Sequence, residues 1–270
     1  MRGRSAAFPY VLWMALFVVT PIVLVLLYAF TNPAGQFTLA NFSRMADYAA
    51  VFTRSLRLAY IATLVCLALG YPVAYLLTRS SESFQRIAMM LIMLPMWINF
   101  LLRTYAWMSI LENKGLLNRL LTFLHLPTVS IINTQAAIVL GMVYNYLPFM
   151  ILPIYSVIVK TDRSVIEAAQ DLGADALRVF LRIIFPLSLP GVISGVTMVF
   201  VPSVSTFIIS KLLGGGTNML LGDLIEMQFL GSAYNPHLGS AISLVMMVIV
   251  VICMSVMNRF GEGEEQAVLF

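Results

Sequence analysis

Long apolar segments alternate with short polar ones along this chain, and their lengths set the fold class. A helix needs about 20 predominantly apolar residues to cross the ~30 Å hydrocarbon core of a bilayer. Six segments have that character, at residues 8–30, 57–77, 87–111, 134–159, 187–210 and 238–257. Only helices and closed barrels satisfy their backbone hydrogen bonds in lipid, and these segments are far too long for barrel strands. The pattern therefore predicts an all-α, polytopic membrane protein with six transmembrane helices.

Prolines interrupt three of these segments, with Pro95 in the third, Pro148 and Pro153 in the fourth and Pro202 in the fifth. Each proline removes a backbone hydrogen bond and bends a helix. Such bends either serve packing or free backbone groups beside a water-filled cavity, and three bent helices in one bundle favour a transport pathway. The glycine-rich outer segment 212–237 predicts one further short helix, re-entrant or on the surface.

The composition supports a membrane protein and argues against a soluble one. Of the 270 residues, 60% are hydrophobic and 10% are charged, whereas soluble domains average about 25% charged residues. The net charge of +4 comes from basic residues scattered among apolar segments, without the stripe typical of nucleic-acid binding. We therefore expect a lipid bilayer as the surroundings and no nucleic acid as a partner.

The positions of lysine and arginine predict the orientation of the chain in the cell membrane. With the N-terminus in the cytoplasm, nine basic residues lie on the cytoplasmic side, at Arg2, Arg4, Arg79, Arg86, Lys160, Arg163, Arg178, Arg182 and Arg259. Six lie in the outer loops, at Arg44, Arg54, Arg57, Lys114, Arg119 and Lys211. The positive-inside rule therefore places both termini in the cytoplasm.

The residues that usually carry chemistry are scarce. Cys66 and Cys253 lie inside apolar segments without a second ligand at metal-binding spacing, so we predict neither a disulfide nor a metal site. The two histidines, His125 and His237, fall in outer loops with no acid at ligand spacing. The glycine-rich run 214–217 lacks the lysine of a phosphate-binding loop. The sequence therefore predicts no cofactor and no enzymatic activity.

The polar segment between the fourth and fifth spans carries the most information. Ser164, followed three residues later by a glutamate, is a capping box that predicts the start of a helix. Gly173 is placed to stop that helix in a left-handed conformation. Asp175 can cap a second short helix over 176–184, which Pro186 is expected to end. Two short helices around a glycine turn suit insertion into a groove of a partner protein.

This segment resembles the EAA loop of ABC importer permeases. The loop's pattern is Glu-Ala-Ala, three residues, Gly, nine residues and Ile-x-Leu-Pro, and the chain matches it with Glu167-Ala168-Ala169, Gly173 and Ile183-x-Phe185-Pro186. The one departure is Phe185 in place of leucine. Stretches 94–107, 145–150 and 213–222 are similar to the PotB-type permeases of spermidine/putrescine importers, so the resemblance covers most of the chain.

The resemblance implies a type I, MetI-like importer. Its transmembrane domain would occupy residues 55–257, after a first helix and outer loop over 1–54 and before a cytoplasmic tail over 258–270. A second permease subunit, two ATPase subunits and an extracytoplasmic substrate-binding protein would be its partners, and the ATPases would hydrolyse the ATP. By position, the coupling to the ATPase would fall to Arg163, Glu167, Ala168, Ala169, Asp171 and Gly173.

Candidate substrate residues follow from the chemistry of a polyamine, which is a flexible polycation suited to aromatic faces and carboxylates. The candidates are Trp97, Asn99, Tyr105, Trp107, Ser203, Thr206, Asp223 and Glu226. The alternatives are packing or interfacial anchoring for the tryptophans and a solvated helix face for the two acids. Arg103 lies inside the third span and would repel a polycation, so we interpret it as structural, paired with Glu112 or with an acid of the partner subunit.

Three other functions remain open from the sequence. A permease for another solute, such as an opine, a phosphonate or a different amine, would share every feature described so far. A membrane-embedded enzyme would need a catalytic set inside the spans. A passive channel would not need a loop that docks an ATPase.

Overall fold

A computed structural model describes residues 3–231 and 233–265 of the chain, and the described part contains fourteen α-helices. They are α1 (Gly3–Met14), α2 (Thr20–Ala29), α3 (Ala40–Arg44), α4 (Ala49–Thr78), α5 (Glu82–Trp97), α6 (Phe100–Leu111), α7 (Leu116–Phe123), α8 (Gln135–Ile158), α9 (Arg163–Asp171), α10 (Ala176–Val179), α11 (Phe185–Ser205), α12 (Ile208–Leu213), α13 (Leu221–Leu230) and α14 (Pro236–Glu265). This confirms the predicted all-α class.

Five continuous helical stretches in the described chain are long and apolar enough to cross a membrane. They are Phe8–Ala29, Ala40–Thr78, Gln135–Ile158, Ala176–Ser205 and Pro236–Met257. Three of them, Phe8–Ala29, Gln135–Ile158 and Pro236–Met257, agree closely with the predicted spans 8–30, 134–159 and 238–257. The third predicted span supplies a sixth crossing only if a bent pair of helices is counted as one.

That third span is broken rather than continuous over 87–111 as the sequence suggested. Glu82–Trp97 and Phe100–Phe123 meet at an angle of 92°. Pro95 weakens the last turn of α5, and Ile98 and Asn99 are extended, with ψ angles of 139° and 131°. The Asn99 side chain then accepts a hydrogen bond from the Leu101 N–H at 2.8 Å and starts α6.

Helices α4, α8 and α11 pack against one another in the centre of the bundle. Without a hydrophobic driving force in lipid, close helix packing depends on small residues at the contact. A Cβ at Gly191 of α11 would lie 2.8 Å from the Pro153 carbonyl oxygen of α8, and one at Gly195 would lie 3.1 Å from the Met150 carbonyl oxygen. These glycines therefore allow the two backbones to approach closely.

The fifth span ends at Ser205, five residues before its predicted end at 210. Pro202 precedes the break, and α12 and α13 fold back against the bundle. The Leu221 N–H at the start of α13 donates to the buried Ser55 hydroxyl of α4 at 2.8 Å. Since Leu221 and Leu224 are also buried, the short outer helix is packed into the protein and is not a surface helix.

The first and last helices lie together beside this centre. Helix α2 packs on α14, which continues to Glu265, beyond the predicted end of its span. The side chains of the first span are largely exposed within the chain, as expected for a helix that faces lipid or another subunit. Cys66 is buried, as its apolar surroundings predicted, whereas Cys253 is partly exposed.

Candidate coupling and transport sites

Helix α9 begins two residues earlier than the capping box suggested. Its cap is Asp162, whose Oδ1 accepts a hydrogen bond from the Ser164 N–H at 2.9 Å. A side-chain oxygen at this position satisfies a free N–H of the first turn, and the charge of the carboxylate complements the positive end of the helix dipole. The hydrogen bond from the Ser164 backbone lowers the pKa of the Asp162 carboxyl. The prediction of Ser164 as the cap was therefore wrong, although the helix itself is confirmed.

Gly173 ends α9 in the conformation that the sequence predicted. Its φ angle is +81°, in the left-handed region that favours glycine. The Ala174 N–H donates to the Ala169 carbonyl at 3.0 Å and the Gly173 N–H donates to the Gln170 carbonyl at 2.8 Å. This pair of bonds is a Schellman motif, which satisfies the last free carbonyls of the helix.

Helix α10 begins at the predicted cap but does not end at Pro186. The Asp175 Oδ1 accepts from the Arg178 N–H at 3.0 Å. The helix then continues through a π-helical turn, Phe180–Ile184, directly into α11, so that Ala176–Ser205 is one uninterrupted stretch. The wider turn accommodates a proline that would otherwise break an α-helix. The predicted end of the second short helix at Pro186 was therefore wrong.

Residues 162–186, which carry the EAA-like motif and are called the coupling segment below, expose one face and pack the other. Ala169 and Ala174 pack toward the bundle core, whereas Glu167, Ala168, Asp171 and Gly173 are exposed. Leu172 is 89% exposed. The side chain of Arg163 lies outside the described part of the chain. The sequence motif thus lies on an accessible surface that carries an unpartnered apolar residue.

A polar cavity of about 670 Å³ separates α9 from the turn between α4 and α5. Glu167 lines it from one side, and Arg79 and Gln85 line it from the other. Gln85 is fixed by two bonds, since its Nε2 donates to the Ser80 carbonyl at 2.8 Å and its Oε1 accepts from the Tyr155 hydroxyl at 2.8 Å. From the sequence, the charges of this turn predicted only the orientation of the chain in the membrane. The proximity of the turn to α9 was not predicted.

The predicted aromatic candidates of the third span do not come together. Trp97, at the end of α5, is 78% exposed, and Tyr105 is also exposed. Trp107 instead meets Tyr144 of α8 edge to face, with ring centroids 5.2 Å apart. This pair lines an apolar cavity of about 830 Å³ between α4, α6 and α8, with Arg57 among its few polar lining residues.

Arg103 has a guanidinium group that is only partly satisfied. Its Nε and Nη1 atoms are buried without a hydrogen-bond partner within the described chain. The group lies 5.9 Å from the centre of the Phe100 ring. Glu112 is exposed and forms no ion pair with it among the described residues, so the pairing suggested within this chain is absent.

The hydroxyl candidates of the fifth span lie inside the bundle at its break. Ser203 is buried and its hydroxyl donates to the Val199 carbonyl at 2.7 Å. Thr206 is also buried and follows the last helical residue. Nearby, the Tyr146 hydroxyl donates to the Pro202 carbonyl at 3.5 Å. In this conformation the two hydroxyls therefore contact protein rather than an open pathway.

The two acidic candidates, Asp223 and Glu226, line one cavity of about 330 Å³ on α13. Asp223 accepts a hydrogen bond from the Leu220 N–H at 2.8 Å, and burial raises the pKa of its carboxyl. The Glu226 oxygens lie 2.8 and 3.0 Å from the Lys211 ammonium of α12. Lys211 was not among the predicted site residues, although its positive charge, close in sequence to the two acids, indicated an ion pair.

Comparison with known proteins places this architecture in a family. Residues 67–262 match the family model described as binding-protein-dependent transport system inner membrane component. The spermidine/putrescine transport system permease protein PotB of Escherichia coli (strain K12) is 38% identical over 247 residues, covering 88% of this chain and 90% of that protein. The protein of the same name from Haemophilus influenzae (strain ATCC 51907 / DSM 11121 / KW20 / Rd) is 37% identical over 260 residues, covering 93% and 91%.

Solved structures share the fold at low sequence identity. A bacterial ABC transporter involved in the import of alginate contains a chain with a TM-score of 0.83 and 16% identity, covering 96% of this chain and 94% of that one. The MetNI methionine ABC transporter, in an inward-facing conformation, gives a TM-score of 0.61 at 15% identity, covering 80% and 94%. The family match over residues 67–262 and the relatives at 37–38% identity show that this chain belongs to the binding-protein-dependent transport system inner membrane components.

Proposed function

We propose that this chain is a permease subunit of an ATP-driven importer of polyamines, with spermidine and putrescine as substrates. The observation that carries the proposal is the identity of 37–38% to relatives named as spermidine/putrescine permeases, over most of both chains. The substrate class rests on these relatives, because the alginate and methionine transporters share the fold alone.

The complete importer would contain a second permease subunit, two ATPase subunits and an extracytoplasmic substrate-binding protein. One of the structural neighbours is described as an alginate ABC transporter in complex with a substrate-bound periplasmic protein, which supports a binding protein as partner. Both termini would lie in the cytoplasm, where α9 and α10 can reach the ATPases. The exposed Leu172, beside Glu167 and Ala168, supplies an apolar contact for that docking.

Closure of the ATPases would displace the coupling segment and thereby the bundle. Because α10 continues into α11 without a break, a force on the segment reaches Ser205 through one helix. Helix α12 follows from Ile208, and α13, which carries the acids proposed for the substrate, begins at Leu221. The pathway residues would be Trp97, Asn99, Tyr105, Trp107, Ser203, Thr206, Asp223 and Glu226, with the buried hydroxyls exposed to the substrate when the bundle rearranges.

The coupling role is tested by charge at Gly173. Asparagine and aspartate have nearly the same shape and both tolerate a positive φ angle, but only aspartate adds a charge. We expect Gly173→Asp to abolish ATP-driven uptake while the protein still inserts in the membrane, and Gly173→Asn to retain most of it. Ordinary uptake by the Gly173→Asp complex would contradict docking at this surface.

The transport activity itself is tested with the whole complex in proteoliposomes. We expect ATP hydrolysis to rise when spermidine-loaded binding protein is added, together with uptake of labelled spermidine. Stimulation of ATP hydrolysis distinguishes an importer from a channel or an enzyme. Stimulation by a binding protein loaded with an opine or a phosphonate, and not with a polyamine, would retain the importer and reject the substrate.

A further inference from the structure

The pair formed by Lys211 and Glu226 joins the two short helices that follow the break in the fifth span. The Lys211 ammonium contacts both Glu226 oxygens, at 2.8 and 3.0 Å. The lysine side chain is 60% exposed and that of Glu226 is 28% exposed. The ammonium therefore lies at the open side of the cavity and the carboxylate lies at its wall.

The same cavity contains a second carboxylate whose hydrogen bonding is incomplete. Asp223 Oδ2 accepts from the Leu220 N–H, and its buried Oδ1 has no donor in hydrogen-bonding geometry in the described chain, because the nearby Ser210 hydroxyl donates to the Phe207 carbonyl at 3.0 Å. An unpaired buried carboxylate oxygen costs free energy, so natural proteins rarely retain one without a use. Among the described residues Lys211 forms its ion pair with Glu226 alone, so the Asp223 carboxylate has no charged donor.

The rest of the cavity suits a chain of methylene groups. Its apolar lining comes from Met219, Met227 and Leu230. Methionine side chains are flexible and adapt to irregular apolar ligands. Asp223 and Glu226 are three residues apart on one helix, so their Cβ atoms are about 5–6 Å apart on the same face. A ligand with two ammonium groups joined by a few methylenes matches this arrangement of charge and surface.

We propose that the Lys211 ammonium is a tethered substitute for a primary ammonium group of the substrate. One end of a diamine or polyamine displaces Lys211 from Glu226, and the next ammonium group pairs with Asp223. The identity of the displacing ligand rests on the proposed function, whereas the exchange itself rests on the geometry of this cavity.

The energetics of exchange favour a ligand with two charges. An exposed ion pair contributes little, so replacing one ammonium by another at Glu226 is close to neutral. The additional gain comes from Asp223, whose buried oxygen receives a charged donor only when a second ammonium arrives. A monoamine would gain nothing over Lys211, and the cavity would therefore select diamines and longer polyamines.

The test measures binding of labelled spermidine to the purified complex of both permease subunits and the ATPases, at low ionic strength and without the binding protein. Lys211→Met removes the competing ammonium, and we expect spermidine to bind about fivefold more tightly, which corresponds to about 1 kcal/mol. Lys211→Arg is the matched control that keeps the charge and should bind as the wild type does. Asp223→Asn should bind at least about fivefold more weakly, and butylamine should not compete.

The proposal is overturned if spermidine binds to Lys211→Met no more tightly than to the wild type. Lys211→Gln replaces the methionine variant if gel filtration shows that the latter does not assemble with the ATPases. Uptake by the wild-type complex distinguishes failure of the tethered ammonium from failure of the proposed substrate. Normal spermidine uptake with unchanged binding in the Lys211 variants would reject the tethered ammonium alone, whereas absence of wild-type uptake would reject the proposed substrate.

Discussion

Replacing Gly173 with alanine separates the backbone requirement of the coupling turn from its fit to the ATPase. The φ angle of Gly173 is +81°, and an added Cβ would meet no atom of this chain within 4 Å. The cost of alanine therefore comes from the left-handed backbone alone, at about 1–2 kcal/mol. Asparagine is larger than alanine but tolerates this conformation better, so Gly173→Asn is the matched control.

We expect this cost to appear as weaker association with the ATPase. If the turn is populated only in part before docking, a penalty of about 1–2 kcal/mol for forming it lowers the apparent affinity by up to about 5–30-fold. Titration of membrane vesicles with labelled ATPase measures that affinity, and uptake at limiting ATPase should fall in the same order. Gly173→Asn should lie between the wild type and Gly173→Ala in both measurements.

The result that would refute this reasoning is the opposite order of the two variants. Stronger impairment by asparagine than by alanine would mean that side-chain volume against the ATPase, and not the backbone conformation, explains the glycine. Equal affinities for all three proteins would mean that the left-handed backbone costs the same in the free and in the docked chain, so that it does not enter the docking equilibrium.

Three further predictions concern packing, capping and pH. Gly191→Ala should lower the free energy of unfolding, measured by thermal denaturation of the purified complex, by about 1–3 kcal/mol, because the added Cβ meets the backbone of α8. Gly70→Ala should cost less, because the Cβ added there meets mainly the side chains of Met150 and Ile151. Asp162→Ala removes the cap of α9 and should destabilise the coupling segment, detected as faster proteolysis after Lys160. Since the pKa of Asp162 is lowered, the stabilisation that its carboxylate gives to α9 is complete above the ordinary carboxyl pKa and is lost as the pH falls through the lowered value. If the resistance of the wild-type segment to proteolysis does not weaken in acid, this interpretation is wrong. Burial raises the pKa of Asp223, so spermidine binding should weaken as the pH falls through that raised value, and Asp223→Asn should lose this dependence.

Local features of the coupling segment could be predicted because their causes are local. The stop at Gly173 and the cap at Asp175 depend on neighbouring residues and on well-known conformational preferences. The cap of α9 was misassigned by two residues because Asp162 and Ser164 both accept hydrogen bonds at a helix start, and sequence alone does not rank them. Pro186 was expected to break a helix, but a π-helical turn accommodates it.

Non-local features could not be predicted from the sequence. The break at Ile98 and Asn99 lies beyond the proline that marks it, and its angle of 92° depends on the packing of the following helices. Lys211 and Glu226 are 15 residues apart and meet only because the intervening loop turns through Gly215 and Gly216, both with positive φ angles. Their pairing, and the cavity that they share with Asp223, required the structure.

The length of the helical stretch Ala176–Ser205 determines how its two ends can move relative to each other. Its 30 residues span about 45 Å at ~1.5 Å per residue, more than the hydrocarbon core. Gly191, where an added Cβ would lie 2.8 Å from the Pro153 carbonyl oxygen of α8, lies near the midpoint of this stretch. A continuous helix that pivots near its midpoint moves its two ends in opposite directions, and bends at Pro190 and Pro202 make the two displacements unequal. With the proposed pathway beside Ser205, we therefore expect a displacement of the Ala176 end toward the pathway to move Ser205 away from it.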